Sequence, residues 1–147
     1  MRLSSDLREF LALLNSRGIE YVIVGAHSLA FHGRPRYTGD LDILVRATPA
    51  NAARLVELLN EFGFARSAFK EADFTQPEQV IQLGRAPNRI DLLTSLSGVT
   101  AAEAFATRIA TQLDDIPVFV LSKEALIQNK RTVGRPQDLA DLDTLAD

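Results

Sequence analysis

The sequence contains no cysteine, so neither a disulfide nor a thiolate metal site can form. It also lacks any apolar run near the roughly 18 residues that a membrane-spanning helix needs. The N-terminal stretch MRLSSDLREF carries acidic residues early and lacks the apolar segment of a signal peptide. We therefore expect a cytoplasmic protein with no membrane partner.

Positive charge is scarce, and most of it is arginine. The formal net charge is −3 and the pI is near 5.4, whereas a general nucleic-acid binder is more often basic. Lysine occurs three times and arginine 13 times. Arginine suits bidentate phosphate contacts, although each arginine could equally belong to a solvated surface. Five arginines lie close in sequence to aspartates that could bind a metal: Arg34, Arg36, Arg46, Arg85 and Arg89.

The length and composition are those of one globular domain. The 147 residues are 46% hydrophobic and 24% charged, which allows a sizeable core. No internal repeat, low-complexity tract or linker divides the chain. We therefore expect a single domain over residues 1–147.

The order of apolar patterns predicts an α/β (α+β) fold, with a mixed sheet of about five to six strands flanked by helices. Helices are expected over residues 5–17, 26–33, from Thr48 to Gly63, from Thr100, from Ser122 to about Val133, and from near Pro136. Strand candidates are residues 21–25, 40–45, 64–69, 79–84, 89–94, 110–114 and 116–121.

Two carboxylates interrupt one of these strands. Because side chains alternate along a strand, Asp40 and Asp42 point to one face while Leu41 and Ile43 point to the other. Adjacent carboxylates repel each other unless a positive charge lies between them. Mg²⁺ prefers oxygen ligands and could supply that charge. The alternative is an exposed strand face or turn with two solvated acids.

Two further features bear on this choice. Gly25 ends the preceding strand, where a glycine allows close backbone approach to a ligand, and Ser28 lies in the first turn of the following helix, where N–H groups can hold a phosphate. Downstream, Asp91 is a third carboxylate within an apolar strand. Three such carboxylates can hold metal ions, but Arg89 shares the face of Asp91, so a simple Arg–Asp pair is a competing explanation.

The stretch VGAHSLAFHGRPRYTGDLDIL resembles the signature of the nucleotidyltransferase fold, the DNA polymerase β-like superfamily. The form HGRPRYTGDLDI is similar to that of small prokaryotic nucleotidyltransferases related to the toxin components of some toxin–antitoxin systems. The resemblance extends to about residue 94 and reappears in LSKEALIQNKRTVGRPQDLADL. One position departs from the family pattern, because Ala26 stands where a second glycine or serine is usual.

The resemblance implies a role for each matching residue. Asp40, Asp42 and Asp91 would bind Mg²⁺ or Mn²⁺, with Asp91 also accepting the proton of the acceptor hydroxyl. The nucleoside triphosphate, such as ATP, would be held by Gly25, Ala26, Ser28, Arg36, Thr38 and Lys130.

The implied activity is transfer of a nucleoside monophosphate to a hydroxyl, with release of pyrophosphate. The acceptor could be a small molecule such as an antibiotic, a protein side chain or an RNA 3′ end. Only about 25 residues follow the sheet, so a second copy of the chain or another protein is expected to complete the acceptor site. Two alternatives remain: a non-catalytic nucleotide- or partner-binding domain with the same fold, and an unrelated small α/β protein.

Overall fold

A six-stranded mixed sheet forms the centre of the computed structural model. The structure describes residues 5–25, 28, 31–32, 40–64, 69–84 and 89–145. The strands are β1 (Tyr21–Val24), β2 (Leu41–Val45), β3 (Val80–Leu83), β4 (Ile90–Leu93), β5 (Ile109–Leu113) and β6 (Ile116–Val120). Their order across the sheet is β3-β4-β2-β1-β6-β5. The predicted mixed sheet with flanking helices is confirmed.

Five α-helices flank the sheet in the described part of the chain. They are α1 (Ser5–Ser16), α2 (Pro49–Leu59), α3 (Ala101–Thr107), α4 (Lys123–Val133) and α5 (Pro136–Leu145). The predicted N-caps form as expected, since the side chains of Thr48, Thr100 and Ser122 each accept a hydrogen bond from a backbone N–H of the first turn. None of the described helices combines the length and the hydropathy that a bilayer span requires.

The two sheet faces bury separate cores. On one face, Ile23 and Ile43 lie in a core with Phe10 of α1 and Leu55 of α2. On the other, Val22, Val24 and Leu44 pack with residues of α3 and α4, namely Ala104, Phe105, Ala125 and Leu126. Side chains alternate along β2, so Asp42 points to the second face, as predicted from its spacing.

The predicted boundaries near Gly63 and Phe64 are wrong. The chain continues after α2 as a π-helical turn over Asn60–Phe64, so Phe64 ends a helix and does not begin a strand. Phe62 packs edge-on against Phe10, with ring centroids 5.4 Å apart, and this contact favours continued winding past the expected stop. Residues 65–68 of the predicted strand lie outside the described residues, and Phe69 at its end is not in a strand. Most of the predicted helix 26–33 also lies outside the described residues.

Candidate active site

Asp42 and Asp91 lie side by side on neighbouring parallel strands. The register of β2 and β4 pairs their Cα positions directly, and on its other side β2 pairs Asp42 with Val24 of β1. Asp91 is buried. Three segments that are distant in sequence therefore meet at Asp42: the end of β1, the start of β2 and the start of β4.

Gly25 is packed directly against Asp42. Its φ angle is +69°, and a Cβ at this position would lie 2.3 Å from Oδ2 of Asp42. That distance is far below van der Waals contact, so any other residue would displace the carboxylate. Glycine is thus required here by the adjacent carboxylate as well as by the backbone conformation.

Arg89 bridges the carboxylates of Asp40 and Asp91. Its Nε lies 3.0 Å from Oδ1 of Asp91, and its second terminal nitrogen lies 3.2 Å from Oδ2 of Asp91. That same nitrogen lies 3.0 Å from Oδ2 of Asp40. The competing Arg–Asp pair considered from the sequence therefore forms, and it draws in Asp40 as well. We call Asp40, Asp42 and Asp91 the acidic cluster.

The surroundings of Asp42 in the acidic cluster raise the pKa of its carboxyl group. Burial is the largest cause that raises its pKa from 3.8 to about 6, and the charges of Asp91 and Asp40 act in the same direction. A side-chain hydrogen bond with Asp91 also favours the protonated form, while Arg89 opposes the rise. Without a bound cation, the cluster therefore favours the protonated form of Asp42 below about pH 6.

The donor set fits a hard divalent cation. All three side chains offer carboxylate oxygens, the ligands that Mg²⁺ and Mn²⁺ prefer. A cation would offset the burial and the carboxylate repulsion that raise the pKa of Asp42. Within the described ranges, however, no three acidic or histidine side chains are grouped as a ready metal site. The contacts of Arg89 with Asp40 and Asp91 engage oxygens that a cation would need.

Lys130 lies in a buried ionic network between α4 and α5. Its side chain is only 5% exposed, and its Nζ lies 2.8 Å from Asp141 and 3.5 Å from Asp138. Gln137 donates a second hydrogen bond to Asp141. Lys130 therefore joins α4 to α5 through Asp138 and Asp141 in this structure. Its phosphate contact stays a prediction.

Sequence reasoning missed Arg135, which lies at the corner between α4 and α5. Its guanidinium binds Asp138 through two nitrogens at 2.7 and 3.3 Å. Asp138 is the main cause that raises the pKa of Arg135, and Asp42 contributes through its charge. The corner is therefore within electrostatic reach of the acidic cluster. The spacing of Arg135 and Asp138 indicates their pairing, but nothing in the sequence indicates proximity to Asp42.

The remaining predicted nucleotide contacts divide into two groups. Ser28 is described and fully buried, and its hydroxyl donates a 3.4 Å hydrogen bond to the carbonyl of Leu121. His32 contacts the same carbonyl at 2.9 Å through Nε2. The other predicted contacts lie outside the described residues: Ala26, Arg36 and Thr38.

Comparison with known proteins identifies the fold. Over 95% of this chain and 89% of the other, the structure is similar to a candidate nucleotidyltransferase from Thermotoga maritima, with a TM-score of 0.63 and 17% identity. The structure is also similar to the lincosamide antibiotic adenylyltransferase LnuA with lincomycin bound, with a TM-score of 0.59 and 13% identity. The match covers 100% of this chain and 99% of LnuA. For the antibiotic-resistance factor ANT(2'')-Ia the TM-score is 0.57 and the identity 14%, over 97% of this chain and 81% of the other.

The chain therefore has the nucleotidyltransferase fold, as the resemblance in the sequence implied. No protein-family model and no curated protein matches it. At these identities the likeness extends to the fold, and the activity has to be argued from the site.

Proposed function

We propose that this protein is a nucleotidyltransferase, which moves a nucleoside monophosphate from a nucleoside triphosphate to an acceptor hydroxyl. The observation that carries the proposal is the pairing of Asp42 with Asp91 on adjacent strands. Gly25 packs against Asp42, and Arg89 links Asp91 to Asp40. Carboxylates that are held together at the cost of repulsion are typical of functional sites. The nucleotidyltransferase fold around them favours this reaction over other uses of a metal site.

In the proposed reaction, Asp40, Asp42 and Asp91 would hold Mg²⁺ or Mn²⁺ together in the acidic cluster. When bound, the cation would neutralise and orient phosphate oxygens. Asp91 accepts the proton of the acceptor hydroxyl as the hydroxyl oxygen forms its bond to the α-phosphorus. The bond to the pyrophosphate oxygen breaks, and pyrophosphate leaves. Of the proposed triphosphate contacts, Gly25 lies directly beside Asp42.

The acceptor is proposed by class. The similarity to an adenylyltransferase that carries lincomycin favours a small molecule with a hydroxyl group, while a protein side chain and an RNA 3′ end are the other two classes. A second copy of the chain or a partner protein would complete the acceptor site. A role in a toxin–antitoxin system is one setting for such an activity.

The contacts of Arg89 favour one alternative. Because Asp91 is paired through both oxygens, the acidic cluster could persist as a structural ion pair in a non-catalytic nucleotide- or partner-binding domain. That alternative predicts nucleotide or partner binding that does not depend on a divalent cation.

Calorimetry with nucleoside triphosphates, in Mg²⁺ or in chelator, tests the proposal. We expect binding in Mg²⁺ and loss of binding both in chelator and in Asp42→Asn. Glu57→Gln is a matched control, because it removes the same charge from an exposed position on α2. That helix packs on the sheet face opposite to the one that carries Asp42. Equal affinity for every nucleotide with and without the metal would reject the proposal in favour of the non-catalytic domain.

A further inference from the structure

Arg89 is held in place at its backbone, and its side chain is partly exposed to solvent. Its carbonyl accepts a 2.9 Å hydrogen bond from the backbone N–H of Leu41, which holds it at the junction of β2 and β4. Its side chain is one-third exposed, at 33%. The guanidinium can therefore turn towards solvent while the backbone that carries it stays in place.

The guanidinium occupies the side of the acidic cluster that joins Asp40 to Asp91. One of its terminal nitrogens is shared between the two carboxylates, at 3.0 Å from Asp40 and 3.2 Å from Asp91. A rigid planar fork of this kind satisfies both oxygens of a carboxylate at once. A cation that binds Asp91 together with Asp40 has to take over oxygens that Arg89 contacts.

We propose that Arg89 is an exchangeable counter-ion, which positions Asp40 and Asp91 in the metal-free protein and yields oxygens to a divalent cation when it binds. The inference rests on the proposed function, since it assumes that the acidic cluster binds the cation. Arg89 then acts on metal binding in two opposed ways. It keeps the carboxylates assembled, and it competes for them.

Titration with Mn²⁺ alone, without nucleotide, separates these effects. In Arg89→Gln the competing charge is gone, and we expect Mn²⁺ to bind about two- to fivefold more tightly, the size expected when a partly exposed ion pair is lost. The same variant should melt at a lower temperature in chelator, because Asp40 and Asp91 lose their partner. It should also gain more thermal stability from Mn²⁺ than the original protein gains.

Two further variants make the test specific. Arg8→Gln removes an arginine of similar exposure, 40%, that pairs with Asp114 away from the acidic cluster, so it controls for net charge. Arg89→Lys keeps the charge but cannot span both carboxylates, and we expect an intermediate Mn²⁺ affinity. It also covers the case in which Arg89→Gln does not fold.

The outcomes separate the two proposals. If the original protein and the Arg89 variants bind Mn²⁺ equally, or if the variants bind it more weakly, Arg89 is not a competing counter-ion, while the proposed function stands. If none of them binds Mn²⁺, Arg89 does not compete with a cation and the inference is overturned, while the nucleotide titration in Mg²⁺ and in chelator decides the proposed function. An equal gain in affinity in Arg8→Gln would reduce the effect to net charge and would overturn the role of Arg89.

Discussion

At the scale of single residues, the acidic cluster gives the stability of the protein an unusual dependence on pH. The fold raises the pKa of Asp42 from 3.8 to about 6, so it favours the protonated form of this carboxyl group. Its contribution to stability is therefore complete below about pH 4 and is lost as the pH rises through about 6. Most paired carboxylates act in the opposite direction, because their pKa is lowered.

We expect Asp42→Asn to remove this dependence in the metal-free protein. The amide resembles the protonated acid, so at pH 7 the variant should be the more stable by at most about 3 kcal/mol, and by less where solvent screens the group. Urea unfolding in chelator between pH 4 and 8 measures the difference, with Glu57→Gln as the control. A variant with a lower free energy of unfolding than the original protein at pH 7 would indicate that Asp42 is a structural hydrogen-bonding residue.

Gly25 permits a second test at the residue scale. Gly25→Ala should be strongly destabilising, since it combines a positive φ angle with a Cβ only 2.3 Å from an Asp42 oxygen. Gly134 is a matched control, with a φ angle of +68° but a nearest neighbour at an ordinary 3.6 Å. We expect Gly134→Ala to lose about 1–2 kcal/mol from backbone strain alone, and Gly25→Ala to lose more. If both variants lose the same stability in thermal melts, the Asp42 side chain can move away from the added Cβ at no cost in free energy.

At the scale of the elements, Lys130 holds α5 against α4. Lys130→Ala should lower the free energy of unfolding by about 3–5 kcal/mol, because it leaves Asp138 and Asp141 buried without their cation. Lys123→Ala, which removes a half-buried lysine from the start of the same helix, should change it little. Chemical denaturation measures both variants.

The predicted phosphate contact of Lys130 gives a different pattern. If the amino group acts on the nucleotide, Lys130→Ala should weaken triphosphate binding more than monophosphate binding, whatever the loss of stability. A large loss of stability together with an unchanged preference between the nucleotides would assign Lys130 to the helix junction alone.

The elements that could be predicted from sequence are those with local causes. Thr48, Thr100 and Ser122 cap helices through bonds to residues three positions away, and Gly134 closes α4 with a left-handed conformation.

The site could be predicted only in part. Alternation along one strand gives the shared face of Asp40 and Asp42, but the register that places Asp42 beside Asp91 depends on pairing across 49 positions of sequence.

At the scale of the whole molecule, the charge limits the acceptor. A net charge of −3 disfavours an extended nucleic-acid surface, which needs many cations to displace counterions. Incubation with labelled nucleoside triphosphates, Mg²⁺ and separate pools of tRNA, protein and an aminoglycoside or lincosamide should place the label on one class of acceptor. If RNA is labelled, its binding should weaken only shallowly with salt. A logarithmic slope of magnitude about 6 or more would indicate an extended RNA surface.

The burial of Lys130 gives the chain an internal chemical reporter. Of its three lysines, Lys70 is exposed and Lys123 half-buried, whereas the Lys130 side chain is 5% exposed. An amine-acylating reagent should therefore modify Lys70 in the closed protein and reach Lys130 only when α5 detaches from α4. The ratio of the two acylation rates, read from peptide masses, would measure how often the C-terminal helix opens, without any mutation or label in the protein.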